Sequence, residues 1–145
     1  MIINGYRMKV VVTVLSLALI SDPTHAKSCT ERDAEAADLA IDNLDSWEAI
    51  QKNYVAYAQC DDGSIAEGNS EAIARMLIDK WQDIAKLQSA INYNSGFENY
   101  VVRHINSTLD TDDLSQIIML SSESCPAENK ALCGKLIAAA QSAEK

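Results

Sequence analysis

The stretch Ser70–Ile91, "SEAIARMLIDKWQDIAKLQSAI", has the strongest helical pattern in the chain. Ser70 is a residue type that favours the N-cap of a helix, and "NYNSG" at 92–96 ends the pattern. Large apolar residues recur at steps of three and four, as on one face of an α-helix: Ile73, Leu77, Trp81, Ile84, Leu87 and Ile91. The stretch predicts one long amphipathic helix that begins at Ser70.

Weaker helical patterns lie on both sides of this stretch. Capping-box patterns, a capping residue followed three positions later by Glu, start at Asp45 and at Ser95. Helical spacing or composition marks five further segments, at 34–44, 47–57, 97–105, 114–118 and 132–140. No stretch alternates apolar and polar residues for long enough to predict a strand. We therefore predict an all-α fold, a compact array of five or six short helices stapled by disulfides.

The N-terminal segment has the layout of a secretory signal peptide. "MKVVVTVLSLALISDPTHA" (8–26) has a lysine, an apolar run and short residues at Thr24 and Ala26, where a signal peptidase would need them. The apolar run, Val10–Ile20, has 11 residues, whereas a membrane span needs about 20. We expect residues 1–26 to be cleaved and residues 27–145 to form a single helical domain that is periplasmic or secreted.

The charge of the predicted mature chain limits its partners. The full chain has 12 basic and 21 acidic residues. Without Arg7, Lys9 and Asp22, which lie in the signal peptide, 10 and 20 remain, a net charge of −10. A surface this acidic repels phosphate backbones and anionic lipids. We expect no nucleic acid and no membrane among the partners after cleavage, but a basic protein instead.

Four cysteines behind a signal peptide indicate two disulfides in an oxidising compartment. They are Cys29, Cys60, Cys125 and Cys133, and no two have the close spacing of a zinc site. A continuous helix from Pro126 would hold Cys125 and Cys133 about 12 Å apart, too far for a disulfide. If "PAEN" is a turn, the two can bond. We favour this local loop, which leaves Cys29 to pair with Cys60.

The break before the long helix, "CDDGSIAEG" (60–68), holds the candidate site. One interpretation is a structural corner, in which Asp61 or Asp62 caps a one-turn helix "SIAE" and Gly68–Asn69 turn the chain again before Ser70. The second is a partner-binding surface formed by Asp61, Asp62 and Glu67. Calcium binding is disfavoured because the carboxylates lack the EF-hand spacing.

Catalytic patterns are weak in this chain. A cell-wall hydrolase could use Glu67 as acid and Asp62 as base, but nothing predicts an apolar pocket around Glu67. His104 is the one histidine after residue 26 and has the setting of a packing or capping residue. "GNSEA" (68–72) lacks the second glycine of a nucleophile elbow. We expect no catalytic residues, no metal and no cofactor.

The segments "YAQCDDGSIAEGNSEAIARMLIDKW" (57–81), "VVRHINSTLDTDDL" (101–114) and "SCPAENKALC" (124–133) resemble a family of small exported proteobacterial proteins of uncharacterised function. More loosely, size, export, helical content and cysteines are similar to the periplasmic immunity proteins of type VI secretion amidase effectors. This second resemblance implies an inhibitor that blocks a toxin's active site and often dimerises, so a homodimer is compatible with it.

Together these patterns predict an exported non-enzymatic binding protein, such as an immunity protein or another inhibitor of a secreted toxin. The alternatives are the small hydrolase that uses Glu67 and Asp62, and a small-ligand carrier. A carrier would need an apolar cavity, for which the surroundings of Trp47 and Trp81 are the candidates.

Overall fold

A computed structural model describes residues 27–145, and within this range the chain forms seven α-helices and no strand. The helices are α1 (Glu31–Ala40), α2 (Trp47–Tyr57), α3 (Gly63–Asp79), α4 (Ile84–Tyr93), α5 (Gly96–Arg103), α6 (Thr111–Glu123) and α7 (Lys130–Ala143). The predicted all-α class is confirmed, with one or two more helices than expected. The predicted signal peptide lies outside the described residues.

The long helix predicted at Ser70 begins seven residues earlier. Asp62 is the N-cap of α3 and accepts a hydrogen bond from the backbone N–H of Gly63 at 2.8 Å. The turn predicted at Gly68–Asn69 is wrong, because both residues are helical. Gly68 serves close packing: a Cβ there would lie 2.6 Å from Cδ1 of Ile41. Ser70 is therefore a helix-interior residue, not a cap.

The same predicted helix also ends earlier than expected, because a 3₁₀ turn at Trp81–Asp83 separates α3 from α4. Contacts from distant parts of the chain hold this break. The Trp81 indole N–H donates to the carbonyl of Ser124 at 2.9 Å, and the Lys80 ammonium donates to the carbonyl of Asp45 at 2.6 Å. The apolar stripe continues across the turn, so both helices still face the core.

Both predicted disulfides are confirmed. Cys29 bonds Cys60 across 31 positions of sequence, and Cys125 bonds Cys133 across eight. A 3₁₀ turn at Ala127–Asn129 delays the start of α7 to Lys130. The delay brings the Cα atoms of Cys125 and Cys133 to 6.3 Å, within the reach of a disulfide.

The core lies between α3 and the helices that pack around it. Its largest fully buried side chains come from six helices and include Ile50, Ile73, Leu77, Leu87, Phe97, Tyr100, Ile117, Leu132 and Leu136. One disulfide ties the segment before α1 to the start of the corner, and the other ties α6 to α7. The arrangement places the α2–α3 corner directly against the C-terminal end of α5, where the candidate site forms.

Candidate functional site: a buried polar network beside an acidic groove

The α2–α3 corner begins at a fixed point, because Cys60 is buried and bonded to Cys29. Asp61 follows at once and precedes the capping residue Asp62. Gly63 takes a φ of +53°, in the left-handed region where glycine avoids the steric strain of other residues. The disulfide and this turn direct the Asp61 side chain inward and start α3.

Asp61 is the centre of a network of polar side chains. Its side chain is 4 % exposed. Oδ1 accepts from the amide of Asn69 at 2.9 Å, and Oδ2 accepts from Nε2 of His104 at 3.0 Å and from the guanidinium of Arg103. Asn69 in turn accepts from the amide of Asn53 at 3.1 Å. The carboxylate therefore joins α2, α3 and α5.

His104 connects Asp61 to Ser70. Its other ring nitrogen, Nδ1, lies 2.8 Å from the Ser70 hydroxyl oxygen, and both side chains are buried. The same hydroxyl lies 3.0 Å from the carbonyl of Ala66 and accepts from the amide of Asn106 at 3.3 Å. Both oxygens of Asp61 and both ring nitrogens of His104 thus have partners, as buried polar groups require.

The ring of Tyr100 packs against two members of the network, His104 and Arg103. Its ring meets the imidazole of His104 edge to face with 4.4 Å between centroids, and the Arg103 guanidinium lies 5.1 Å from the same ring. This guanidinium position suits a cation–π contact. Burial and the negative charge on Asp61 raise the pKa of Tyr100. The phenol therefore stays neutral beside the ionised groups.

The electrostatic balance at Asp61 favours its ionised form. Burial raises the pKa of Asp61, but hydrogen bonds from His104 and Asn69 and the charges of His104 and Arg103 together lower it to about 2. Carboxylates that accept several hydrogen bonds show this behaviour in general. Asp61 is thus a fixed negative charge inside the corner, neutralised by its own neighbours.

An open cleft of about 480 Å³ lies over the network. Ser70, His104 and Asp61 line its floor, and its sides are lined by Glu67, Arg103, Asn106 and Thr108. A second depression of about 320 Å³ adjoins it at Thr108 and is lined by Glu71, Arg75, Asp110 and Asp113. We call the two together the acidic groove, after the carboxylates Glu67, Glu71, Asp110 and Asp113.

The three residues predicted to bind a partner have three different positions. Asp61 is buried in the network, so its oxygens are occupied. The carboxylate of Asp62 is an N-cap, as the structural interpretation expected for Asp61 or Asp62. Only Glu67 is both exposed and part of the acidic groove.

Ser70, Asn69 and His104 form the network with Asp61, and sequence reasoning missed them as a group. A signal was present for Ser70, which is three residues before Ile73 and seven before Leu77, on the apolar face of α3. A polar residue on a buried stripe needs an internal partner. The partner, His104, is 34 positions away, and no local pattern predicts that distance.

The order Ser70–His104–Asp61 has the hydrogen-bond connectivity of a nucleophile, a base and an orienting carboxylate. Two features oppose nucleophilic catalysis. Ser70 is 1 % exposed and lies inside a helix whose own N–H groups are used in helical bonds. Asp61 is already paired with Arg103 as well as hydrogen-bonded to His104. The arrangement is therefore a buried hydrogen-bond network with a structural role.

Comparison with protein-family models, with curated protein sequences and with solved structures gave no match. Within residues 27–145, no helix has both the length and the apolar character of a membrane span. The two disulfides accord with an oxidising, exported environment.

Proposed function

We propose that this chain is an exported, non-enzymatic binding protein that holds a basic partner protein at the acidic groove. We propose further that it acts as an inhibitor, in the manner of the immunity proteins that neutralise secreted toxins. The proposal rests on the groove residues Glu67 and Glu71 and on the net charge of −10 of residues 27–145.

Glu67 and Glu71 are the observation that carries the proposal. They are exposed, stand one helical turn apart on α3 and line adjoining parts of the groove. Like charges at this spacing disfavour a helix by about 0.2–0.5 kcal/mol. None of the ion pairs among residues 27–145 includes either of them. A pair of carboxylates that costs stability and has no internal partner supports binding of a cationic surface.

The acids at the start of α6 are weaker support, because they have a structural explanation. Asp112 and Asp113 lie in the first turn of α6, where negative charge stabilises a helix. They add negative charge near the groove, but the start of α6 would explain them even if the groove bound no partner. Glu67 and Glu71 lie beyond the first turn of α3, where this explanation does not apply.

The hydrolase alternative has less support. A general acid needs apolar surroundings that raise its pKa, whereas Glu67 is exposed among polar residues. One carboxylate oxygen of Asp62 accepts a hydrogen bond from the backbone N–H of Gly63. That oxygen is therefore not free to act as a general base. A binding role requires neither condition.

The test is toxin neutralisation. The chain would be co-expressed with a secreted toxin encoded next to its gene, and survival of the host would be compared for wild type and for Glu67→Gln/Glu71→Gln. Rim charges act mainly through steering of association, so we expect at least tenfold weaker binding at low salt and loss of protection.

A matched control removes two exposed charges elsewhere, Glu35→Gln with Asp38→Asn on α1. This control should protect as wild type does, and its affinity should have the wild-type salt dependence. Equal weakening by the two double variants would place the binding surface outside the groove. Survival that is independent of the chain would overturn the inhibitor proposal.

A further inference from the structure

A second cleft lies between the N-terminal turn of α2 and the length of α4, outside the acidic groove. Its volume is about 430 Å³, within the range of about 300–1,000 Å³ that is typical of small-molecule sites. Its lining combines aromatic, aliphatic and polar side chains: Trp47, Gln51, Asp83, Lys86, Ala90 and Tyr93. The lining is therefore amphipathic.

Two aromatic residues define the cleft, one at its inner side and one at its rim. Tyr93, at the end of α4, is 89 % exposed, so its ring has almost no contact within the protein. Trp47 is 2 % exposed, and its indole Nε1 is a buried donor without a hydrogen-bond partner. Trp81, the other tryptophan, donates to Ser124. Of the two indole donors, the one without a partner thus belongs to the tryptophan beside the cleft.

An unpaired buried N–H is costly and uncommon in folded proteins. Nε1 of Trp47 has no solvent-exposed surface, so an acceptor reaches it only after a small movement of neighbouring side chains. A ligand with a hydroxyl or carbonyl oxygen could supply that acceptor. This places hydrogen-bond acceptors among the required features of a ligand.

The charges around the cleft are compensated within the protein. Lys86 pairs with Asp83 at 3.0 Å, and Glu48 at the mouth pairs with Lys52 at 4.0 Å. The Gln51 amide donates to the carbonyl of Ala90 at 2.8 Å, which leaves its own oxygen as an acceptor. The cleft therefore offers no net charge to attract an ionic ligand, whereas it offers donors and acceptors to a neutral one.

We propose that this α2–α4 cleft binds a small neutral saccharide. A sugar ring presents an apolar C–H face that can cover the Tyr93 ring and hydroxyl groups that can reach Gln51, the Asp83–Lys86 pair and the Trp47 indole. None of the residues that line this cleft lines the acidic groove, so the two sites are separate.

The test is an NMR titration of the oxidised, ¹⁵N-labelled protein with two neutral disaccharides, maltose and diacetylchitobiose. The two indole signals are internal reporters. We expect saturable shifts for the Trp47 indole and for α4 amides, and none for the Trp81 indole. Uncharged tetra-alanine with blocked ends is the comparison ligand. Binding of that peptide alone would overturn the saccharide assignment, as would the absence of saturation with either sugar.

Variants at position 93 test whether the Tyr93 ring contacts the sugar or is merely exposed. Tyr93→Ala should weaken sugar binding at least tenfold, whereas Tyr93→Phe, which keeps the aromatic ring, should bind within about twofold of wild type. Both variants should fold, because residue 93 is exposed. Leu39→Ala, at another exposed apolar side chain (68 % exposed), should bind as wild type. Unchanged affinity in Tyr93→Ala would overturn the proposal. Glu67→Gln/Glu71→Gln should bind sugar normally, so failure of the groove proposal and failure of this one are distinguishable.

Discussion

The α2–α3 corner and the α6–α7 hairpin are each closed by a disulfide, but they are stabilised in different ways. The corner contains a carboxylate, an imidazole, a hydroxyl and two amides that are joined by hydrogen bonds. The hairpin packs mainly apolar residues such as Ile117, Leu132 and Leu136. Loss of one polar partner leaves another buried group unpaired, whereas loss of a methyl group leaves only a small cavity.

In the acidic stretch at 60–68, the centre is therefore structural, and only the edge is exposed and free to contact a partner. Asp61 belongs to the interior, and Glu67 belongs to the surface. A buried polar network of this kind fixes the geometry of the corner, but it makes the stability of the corner sensitive to substitution and to pH. The buried side chains of the hairpin include no ionisable group, so its stability should depend less on pH.

The largest expected effect is that of Asp61→Ala. The substitution leaves the buried ring N–H of His104 and the amide of Asn69 without an acceptor, and each unsatisfied buried group costs about 1–3 kcal/mol. Chemical denaturation monitored by circular dichroism measures the loss. Glu67→Gln is the matched control and should change stability by less than about 0.5 kcal/mol. Equal, small losses in both variants would show that Asp61 is solvated, and would remove the distinction between the two regions.

The second largest effect should be the loss of a disulfide, and the two disulfides should differ in how much each contributes to stability. A chain-entropy estimate gives about 3.7 kcal/mol for the Cys29–Cys60 loop and about 2.5 kcal/mol for the shorter Cys125–Cys133 loop. We therefore expect Cys29→Ala/Cys60→Ala to melt below Cys125→Ala/Cys133→Ala in calorimetry. The reverse order would mean that the hairpin, rather than the corner, depends on its covalent link.

The smallest expected effect is the pH dependence of the corner. The pKa of Asp61 is lowered to about 2 in the folded chain from an unfolded value near 3.9. Its contribution to stability is therefore complete above about pH 4 and is lost as the pH falls toward 2. Denaturation at pH 5, 4, 3 and 2.5 measures the slope. Asp61→Asn should flatten the slope, and an identical slope in both proteins would contradict the assignment.

Much of the fold could be predicted, because its signals are local. The apolar residues at steps of three and four mark α3 and α4, and the "PAEN" turn implies the Cys125–Cys133 loop. The errors occurred where a distant contact outweighs a local preference. Ser70 has a capping preference, yet Asp62 starts the helix earlier and Gly68 lets Ile41 pack against it. The break at Trp81 has no glycine or proline and depends on Ser124.

The candidate site was predictable only in part. The location of the corner and the exposure of Glu67 agree with the sequence patterns, because turns and polar helix faces are encoded nearby. The burial of Asp61 was not foreseen, since an aspartate in an acidic stretch ordinarily stays in water. Its partners Arg103 and His104 are 42 and 43 positions away.

Helix periodicity and short loops depend on residues within one or two turns of one another, so the helical class could be predicted and the Cys125–Cys133 loop could be favoured from the sequence. The packed structure was needed to show that Asp61, Ser70 and His104 meet, that Glu67 and Glu71 line a groove, and that Trp47 lies beside a cleft with its N–H unpaired. Those relations depend on how α2, α3, α4 and α5 pack together, and that packing results from burial summed over the whole core.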